Sequence, residues 1–251
     1  MENHKTHFGF KEVNYEQKSN LVKNIFSNVA KKYDLMNDLM SAGTHRLWKN
    51  KMINYIDFID NMQVIDVAGG TGDIAFRIAK IAQEKHLNYH IEVADINPQM
   101  LEVGRNRAVD NNLFSKLNFN ECDGEKLPFD NEFFDVYTIA FGIRNFTNID
   151  KGLSEANRVL KKGGMFLCLE FSKVDDIFLQ KIYDIYSFKI IPKIGEVILK
   201  DSESYQYLVE SIRKFPDQKT FLKMIENAGF SHVKFENLTF GVCAIHVAIK
   251  G

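Results

Sequence analysis

The stretch Val64–Lys80, VIDVAGGTGDIAFRIAK, places a glycine cluster between a short apolar run and a segment with helical periodicity. A strand, a glycine turn and the start of a helix in this order are typical of a nucleotide-binding unit in a parallel α/β sheet. Gly70, Gly72 and Ala75 also fit the dinucleotide fingerprint G-x-G-x-x-G/A, which makes a nicotinamide or flavin enzyme the first hypothesis. The fingerprint alone is weak, so the residues around it decide between ligands.

Short apolar runs alternate with helix-period segments from Asn61 to about Phe171, which is typical of a parallel sheet with helices on its faces. The predicted strands begin at Gln63, His90, Lys116, Phe134 and Gly164. The predicted helices cover Asp73–Lys85, Pro98–Asn111 and Asn148–Leu160. Asn97 is expected to cap the second helix, with proline at its first position.

The alternation of predicted strands and helices changes near the end of the chain. A helix predicted over Gln218–Asn227 is followed by two strand-like runs, HVKFENL and CAIHVAIK, whose short connection predicts an antiparallel hairpin at the sheet edge. A dinucleotide-binding half repeats parallel units to its end, so an antiparallel strand after five parallel ones favours the class I methyltransferase sheet. The predicted fold class is α/β: a Rossmann-like, mostly parallel seven-stranded sheet with an antiparallel terminal strand.

Two further segments flank or interrupt this core. We predict a helical N-terminal cap over residues 1–60 and the methyltransferase domain over residues 61–251, with an insertion at about 172–215. The insertion is rich in large apolar side chains and is too long for an ordinary connection. It either covers a site or adds packing against the sheet.

Composition narrows the function classes. The chain has 251 residues and a formal net charge of -1, with 45% hydrophobic and 26% charged residues, so nucleic-acid binding is not predicted. Cys122, Cys168 and Cys243 lie far apart, which argues against a disulfide framework or a metal site. The first twenty residues have neither the apolar core of a signal peptide nor the arginines of a transit peptide. We expect a cytoplasmic protein.

An acid lies beneath the glycine loop. Asp66 stands within the first strand, where a dinucleotide site needs no acid, and a carboxylate there suits a ligand with an ammonium group. The amino-acid end of S-adenosylmethionine is such a ligand. Gly69, Gly70 and Gly72 would let the backbone approach it, and Thr71 can donate a hydroxyl. The alternative is that Asp66 only caps the turn.

Acids also follow the next two strands. Asp95 ends the second strand, where an acid accepts the ribose hydroxyls of an adenosine-containing ligand. NAD and S-adenosylmethionine share that ribose, so Asp95 indicates adenosine without separating the two. After the third strand, Asp123 and Gly124 can meet the adenine amino group and a ring nitrogen, or can form only a turn.

These motifs carry a resemblance. The chain resembles the ubiquinone/menaquinone biosynthesis C-methyltransferases in VIDVAGGTGD, VADINPQML, DGEKLPFDNEFFDVYTIAFGIRN and EANRVLKKGGMFLCLEFSK. The resemblance continues in NVAKKYDLMNDLMSAGTHRLWK, YSFKIIPKIG and SYQYLVESIRKFPDQ, and runs from about Leu21 to the end. FGIRN and YDLMND with HRLWK are the most specific motifs. The resemblance implies that Thr71, Asp95, Asp123 and Gly124 contact S-adenosylmethionine.

The resemblance also implies a reaction, methyl transfer to a ring carbon of demethylmenaquinol or of 2-methoxy-6-polyprenyl-1,4-benzoquinol. A ring carbon becomes a good nucleophile when the adjacent hydroxyl loses its proton. Arg144 and Asn145 of FGIRN follow the fourth strand, and we predict that both are catalytic. Arg144 would stabilise oxyanion character, directly or through a water, and Asn145 would orient the substrate or that water. A structural arginine that pairs with a carboxylate is the alternative.

Supporting candidates lie in the cap and in the insertion. They are Tyr33, Asp34 and Asn37 in the cap, and Tyr183, Tyr205 and Arg213 in the insertion. His45 is a candidate base, with cap packing as the alternative.

The implied quinol substrate carries a polyprenyl tail, which suggests contact with a membrane. Ile177–Leu199 combines large apolar residues with Lys181, Lys189 and Lys193, which predicts peripheral contact with the inner face of the membrane. A quinone-biosynthesis assembly is a further expected partner. The alternative function is a methyltransferase of the same fold that acts on another small-molecule acceptor.

Overall fold

The computed structural model describes residues 5–29, 38, 41, 43–174, 180–181, 183 and 202–251. The described strands are β1 (Lys5–Phe8), β2 (Lys11–Asn14), β3 (Met62–Val67), β4 (Tyr89–Asp95), β5 (Leu117–Glu121), β6 (Phe134–Ala140), β7 (Leu160–Phe171), β8 (Phe230–Leu238) and β9 (Cys243–Lys250). The α-helices with described bounds are α1 (Tyr15–Val29), α2 (His45–Ile53), α3 (Asp73–Glu84), α4 (Pro98–Asp110), α5 (Ile149–Val159), α6 (Ser202–Lys214) and α7 (Gln218–Asn227).

Seven strands form one sheet in the order β5-β4-β3-β6-β7-β9-β8. The five strands from β5 to β7 are parallel, and β9 runs antiparallel between β7 and β8. The chain therefore has the predicted mostly parallel sheet with an antiparallel end. The strand order reverses beside β3, so the carboxyl ends of β3, β4 and β6 border a crevice where ligands of such sheets bind.

Local signals account for most element boundaries. The side chain of Asn97 accepts hydrogen bonds from the backbone at the start of α4, and Asn148 does the same for α5. The helices α3, α4 and α5 end within one residue of their predicted limits, and α7 has the predicted bounds. Strand β7 begins earlier than predicted, because Leu160 already pairs with Phe134 before a register shift in the ladder.

The N-terminal segment, predicted as a helical cap, begins with a hairpin that was not predicted. Strands β1 and β2 form an antiparallel hairpin ahead of α1, turning at Gly9, which has a φ of 58°. Lys5 and Glu12 form a salt bridge of 2.9 Å across it. Two strands of four residues with polar side chains carry too little alternation to be recognised in the sequence.

Buried apolar side chains cover both faces of the large sheet. One cluster joins α2, α3 and α6 to one face, and the other joins α5 and α7 to the opposite face. Cys168 and Cys243 are buried and free, as expected for small core residues. No α-helix in the described ranges is long and apolar enough to cross a membrane.

Part of the predicted cap and most of the predicted insertion lie outside the described residues. This applies to Tyr33, Asp34, Asn37, Lys189 and Lys193. The described end of the insertion is α6, which packs into the core.

Candidate active site

A cavity lies at the carboxyl ends of the central strands, beside the glycine loop. Among the predicted site residues, its lining includes Asp66, Gly70, Thr71, Asp95, Asp123, Gly124 and Asn145. The structure thus brings the three predicted acids and one predicted catalytic residue to one space. Gly72 and Arg144 do not line it.

The loop between β3 and α3 has an unusual backbone. Ala68, Gly70 and Gly72 have φ values of 51°, 55° and 80°, in the left-handed region that favours glycine. A Cβ on Gly69 would lie 2.8 Å from Oδ2 of Asp66. Gly72 is the N-cap residue of α3, so it shapes the loop without lining the cavity. Gly69 and Gly70 do line the cavity, and a Cβ on Gly70 would lie 2.9 Å from Met100 and 3.8 Å from Asp95, so side chains at these two positions would narrow the space for a ligand.

Asp66 is the acid beneath this loop. Its side chain is buried, with 1% of the residue exposed, and Oδ1 accepts a hydrogen bond of 2.8 Å from the Thr138 hydroxyl. Oδ2 is buried with no hydrogen-bond partner in the described part of the chain. Burial raises the pKa of Asp66 to about 7. An orphaned carboxylate oxygen at a cavity wall fits a cationic ligand group, and the ammonium of S-adenosylmethionine provides one.

Asp95 is held by the backbone. Oδ2 accepts a hydrogen bond of 2.9 Å from the Gly70 amide, and Oδ1 accepts one of 2.8 Å from the Asn97 amide. Burial raises the pKa of Asp95 to about 6, against the lowering effect of these amides. Each oxygen can accept another hydrogen bond, so the pair suits the two hydroxyls of a ribose.

Asp123 and Gly124 border the cavity differently. Asp123 is exposed and accepts a hydrogen bond of 2.9 Å from the Glu125 amide, so it forms a turn as well as part of the cavity wall. Gly124 is buried, and a Cβ there would lie 2.5 Å from the Phe146 ring and 2.9 Å from Val67. Glycine therefore allows Phe146 to pack beside the predicted adenine position.

Thr71 has a partner that the sequence did not indicate. The Arg107 guanidinium donates hydrogen bonds of 3.1 Å to the Thr71 hydroxyl and 3.3 Å to its carbonyl. The Arg107 side chain also stacks over Phe76 at 4.8 Å. Because the hydroxyl accepts from Arg107, its proton remains available for a ligand.

Arg144 lies in the interior. Its guanidinium forms a 2.8 Å ion pair with Glu170, and the two side chains are only 2% and 1% exposed. It also donates to the Phe141 carbonyl, in the turn that follows β6. Burial raises the pKa of Glu170, against the lowering effect of Arg144. This arrangement corresponds to the structural alternative for Arg144, and its catalytic role stays a prediction. An acid within the apolar run LCLEF was the available signal for Glu170.

Asn145 lines the cavity, as its predicted role requires. Its Oδ1 accepts a hydrogen bond of 2.9 Å from the hydroxyl of Tyr207, a buried residue of α6. Tyr207 is itself stacked on Phe8 of the N-terminal hairpin, with ring centroids 4.3 Å apart. The Asn145 amide is therefore oriented from outside its own loop. Its two N–H donors have no hydrogen-bond partner among the described residues, so they are available to a ligand.

Lys49 is a charged residue at the cavity that the sequence analysis missed. Lys49 of α2 lines the cavity and donates a hydrogen bond of 2.8 Å to Asp73. Arg77 contacts the same carboxylate at 3.2 Å. Burial acts to raise the pKa of Asp73, but Lys49 and Arg77 outweigh it and lower the pKa to about 2. The motif HRLWK contained Lys49, but its periodicity did not show that the lysine is buried.

His45, the candidate base, lies outside the cavity lining. Its Nε2 is 2.8 Å from Asp38, and burial, with Lys49 nearby, lowers its pKa. Within the described ranges no three His, Cys, Asp or Glu side chains come together as a metal site would require.

Helix α1 covers one side of the cavity with Ser19, Val22, Lys23 and Phe26. The side-chain amide of Asn97 donates hydrogen bonds of 3.1 Å to the Lys23 carbonyl and to the Ser27 hydroxyl. The N-cap residue of α4 therefore also anchors α1. The N-terminal segment is part of the site.

The sheet order, the glycine loop and the acids at the strand ends define a class I S-adenosylmethionine-dependent methyltransferase. A solved SAM-dependent methyltransferase from Aquifex aeolicus has the same fold, with a TM-score of 0.62, 16% identity, and coverage of 90% of this chain and 98% of that one. The sequence profile of the ubiE/COQ5 methyltransferase family matches residues 11–250. The chain belongs to this family.

Two relatives are similar over almost the whole chain. The mitochondrial 2-methoxy-6-polyprenyl-1,4-benzoquinol methylase of Mus musculus is 50% identical over 275 residues, which cover 98% of this chain and 84% of that protein. The ubiquinone/menaquinone biosynthesis C-methyltransferase UbiE of Brucella canis is 54% identical over 245 residues, covering 97% and 90%. The predicted family and enzyme class are thereby confirmed: the protein is a C-methyltransferase with S-adenosylmethionine as its cofactor.

Proposed function

We propose that the protein methylates a ring carbon of a polyprenylated quinol in ubiquinone or menaquinone biosynthesis. The observation that carries this function is the identity of 50% and 54% to a benzoquinol methylase and a ubiquinone/menaquinone C-methyltransferase over 98% and 97% of the chain. The acceptor is demethylmenaquinol, 2-methoxy-6-polyprenyl-1,4-benzoquinol, or both.

The cavity residues would divide the binding of the cofactor between them. Asp66 would form an ion pair with the ammonium group, and Asp95 would accept hydrogen bonds from the ribose hydroxyls. The Thr71 hydroxyl would donate a hydrogen bond to the cofactor. Gly124 lets the adenine approach the wall formed with Phe146, and Asp123 meets its amino group. When bound, S-adenosylmethionine supplies an electrophilic methyl group.

Asn145 would act on the acceptor. A quinol carbon gains nucleophilic character as the neighbouring oxygen becomes phenolate-like, and a fixed hydrogen-bond donor stabilises that oxygen. The Tyr207 hydroxyl donates a hydrogen bond to the side-chain oxygen of Asn145. Among the described residues this leaves the Asn145 N–H groups to donate to the acceptor. The predicted contribution of Arg144 to catalysis would be to fix the loop that carries Asn145, because Glu170 and the Phe141 carbonyl hold its guanidinium.

The test of this function is turnover by the purified protein with S-adenosylmethionine. Reduced short-tailed demethylmenaquinol and the methoxy-polyprenyl-benzoquinol are supplied separately, and methyl transfer is followed by mass. Methylation of a ring carbon in either quinol supports the proposal and identifies the pathway. If the protein binds the cofactor and methylates neither quinol, another small-molecule acceptor replaces them.

Contact with the inner face of the membrane would deliver the tailed substrate. The support is chemical, since a polyprenyl chain requires an apolar route and the insertion is rich in apolar residues and lysines. Flotation with anionic and neutral liposomes tests the contact. The absence of association, with or without quinol, would contradict it. A quinone-biosynthesis assembly would be tested separately by co-purification with the other enzymes of the pathway.

A further inference from the structure

We infer that Lys49 binds the carboxylate of S-adenosylmethionine, so that the amino-acid end of the cofactor lies between Asp66 and Lys49. The inference rests on the cofactor assigned above and adds a residue that recognises one of its groups. It does not depend on the identity of the acceptor.

The burial of Lys49 requires an explanation. The residue is 3% exposed, yet its ammonium has three N–H donors, and one hydrogen bond to Asp73 is its only hydrogen bond within the described part of the chain. A buried ammonium is costly unless its remaining donors find partners. Lys49 lines the cofactor cavity, so a ligand there can supply them.

The charges around Lys49 favour an anionic partner. Asp73 is shared by two cations, because Lys49 contacts Oδ2 at 2.8 Å and Arg77 contacts Oδ1 at 3.2 Å. These three groups by themselves carry one net positive charge, and the other acid that Lys49 acts on is Asp66, whose pKa it lowers. With Asp66 paired to a ligand ammonium, Lys49 is left without a full counter-charge. A carboxylate placed against Lys49 would supply it.

The surroundings fit an amino acid with both charges. Asp66, with its unpaired oxygen, lines the same cavity and suits the ammonium group. The amino terminus of the twelve-residue helix α3 lies beside Lys49 and favours negative charge through its backbone N–H groups. A carboxylate and an ammonium on one carbon would thus each meet a group of opposite sign.

Decarboxylated S-adenosylmethionine tests the inference, because it lacks only the carboxylate. Calorimetry measures the affinity of both ligands for the wild-type protein and for Lys49→Met. We expect the wild type to bind the complete cofactor at least about tenfold more tightly, and Lys49→Met to bind the two ligands within about threefold of each other. Lys51→Met, on the same helix but outside the cavity lining, is the matched control and should keep the wild-type ratio.

Two results would overturn the inference. The first is a wild-type protein that binds the two ligands equally well. The second is a Lys49→Met variant that keeps the wild-type ratio, for instance because both ligands bind more weakly by the same factor. If Lys49→Met does not fold, as judged by thermal unfolding, Lys49→Gln is measured in the same way and Lys49→Arg should restore the preference. If the wild type binds neither ligand, the cofactor assignment fails too. A failure of quinol methylation alone leaves these affinities unchanged and refutes only the proposed acceptor.

Discussion

Asp66 is the residue whose ionisation should govern cofactor affinity. Its pKa of about 7 is high because burial penalises the charged form, whereas the ammonium of the ligand requires that form. We therefore expect the affinity for S-adenosylhomocysteine to be constant above about pH 7 and to fall by up to about tenfold per pH unit below it. Calorimetry from about pH 5 to 8 measures this dependence.

Asp66→Asn is the control for that pH dependence. The amide is nearly the same size but cannot ionise, so we expect affinity at about pH 7.5 to fall by at least tenfold and its variation between about pH 6.5 and 8 to disappear. A variant that retained the wild-type slope would assign the proton to another group. Asp95, with a pKa of about 6, would then be the next acid to replace.

Gly124 is a position at the cavity where side-chain size should affect stability. In Gly124→Ala the new methyl group would lie 2.5 Å from the Phe146 ring, so we expect a loss of about 1–3 kcal/mol in the free energy of unfolding. Urea denaturation measures it. Phe146→Leu should offset part of the loss in the double variant, because the smaller side chain opens space, and purely additive effects would contradict this contact.

Strand β7 and the turn after β6 are joined by the Arg144–Glu170 pair. Glu170→Gln leaves the guanidinium buried without its counter-charge, so we expect it to lower the free energy of unfolding by about 3 kcal/mol. Urea denaturation at neutral pH provides the value. Lys80→Gln, which breaks an exposed pair with Glu84, should cost less than about 1 kcal/mol. A comparable small effect at Glu170 would mean that the ion pair does not hold the turn.

The Tyr207 hydroxyl links helix α6 to the active site. Tyr207→Phe removes the hydrogen bond that orients Asn145, so we expect kcat to fall about tenfold while KM for S-adenosylmethionine stays within about twofold. Steady-state kinetics with the quinol substrate separate the two constants. Tyr55→Phe, whose hydroxyl bonds Glu236 outside the cavity lining, should leave kcat unchanged. A rise in KM with constant kcat would instead place Tyr207 in cofactor binding.

The whole molecule should respond to the cofactor through its N-terminal segment. Helix α1 lines the cavity and is anchored to Asn97, and the Lys18 ammonium donates a hydrogen bond of 2.6 Å to the Phe146 carbonyl. We expect saturation with S-adenosylhomocysteine to slow amide hydrogen exchange in α1 by at least about tenfold. Exchange followed by mass spectrometry measures this, with α7 as the unchanged internal control. Equal protection in both helices would indicate global stabilisation instead.

Sequence patterns predicted those parts of the site that depend only on residues close together in the chain. The glycine loop, Asp66 within an apolar strand, and Asp95 at the end of the next strand can each be recognised in a short stretch of sequence. Because parallel strands end at one edge of the sheet, the sequence also predicts that they meet there, and all three line one cavity. Asn97 predicted the start of α4 in the same way, because asparagine is preferred at the N-cap, where its side chain bonds backbone N–H groups two and three residues on. Family resemblance added the reaction, which these local patterns do not contain.

The residues that sequence analysis missed acquire their roles from distant partners. Glu170 meets Arg144 across 26 positions, Lys49 meets Asp73 across 24, and Tyr207 meets Asn145 across 62. Side-chain periodicity reports which face of an element is buried, but it does not report which charge lies opposite.

The sequence alone therefore determined the alternation of strands and helices, the antiparallel strand at the end of the chain, and the acids that line the cavity, because each follows from propensity, capping or strand polarity within a short stretch. Only the tertiary structure decided that Arg144 is enclosed by Glu170, that α1 covers the cavity, and that Tyr207 orients Asn145. These arrangements depend on packing between elements far apart in the chain, and the free energy of burying a charge is set by the partner that packing supplies.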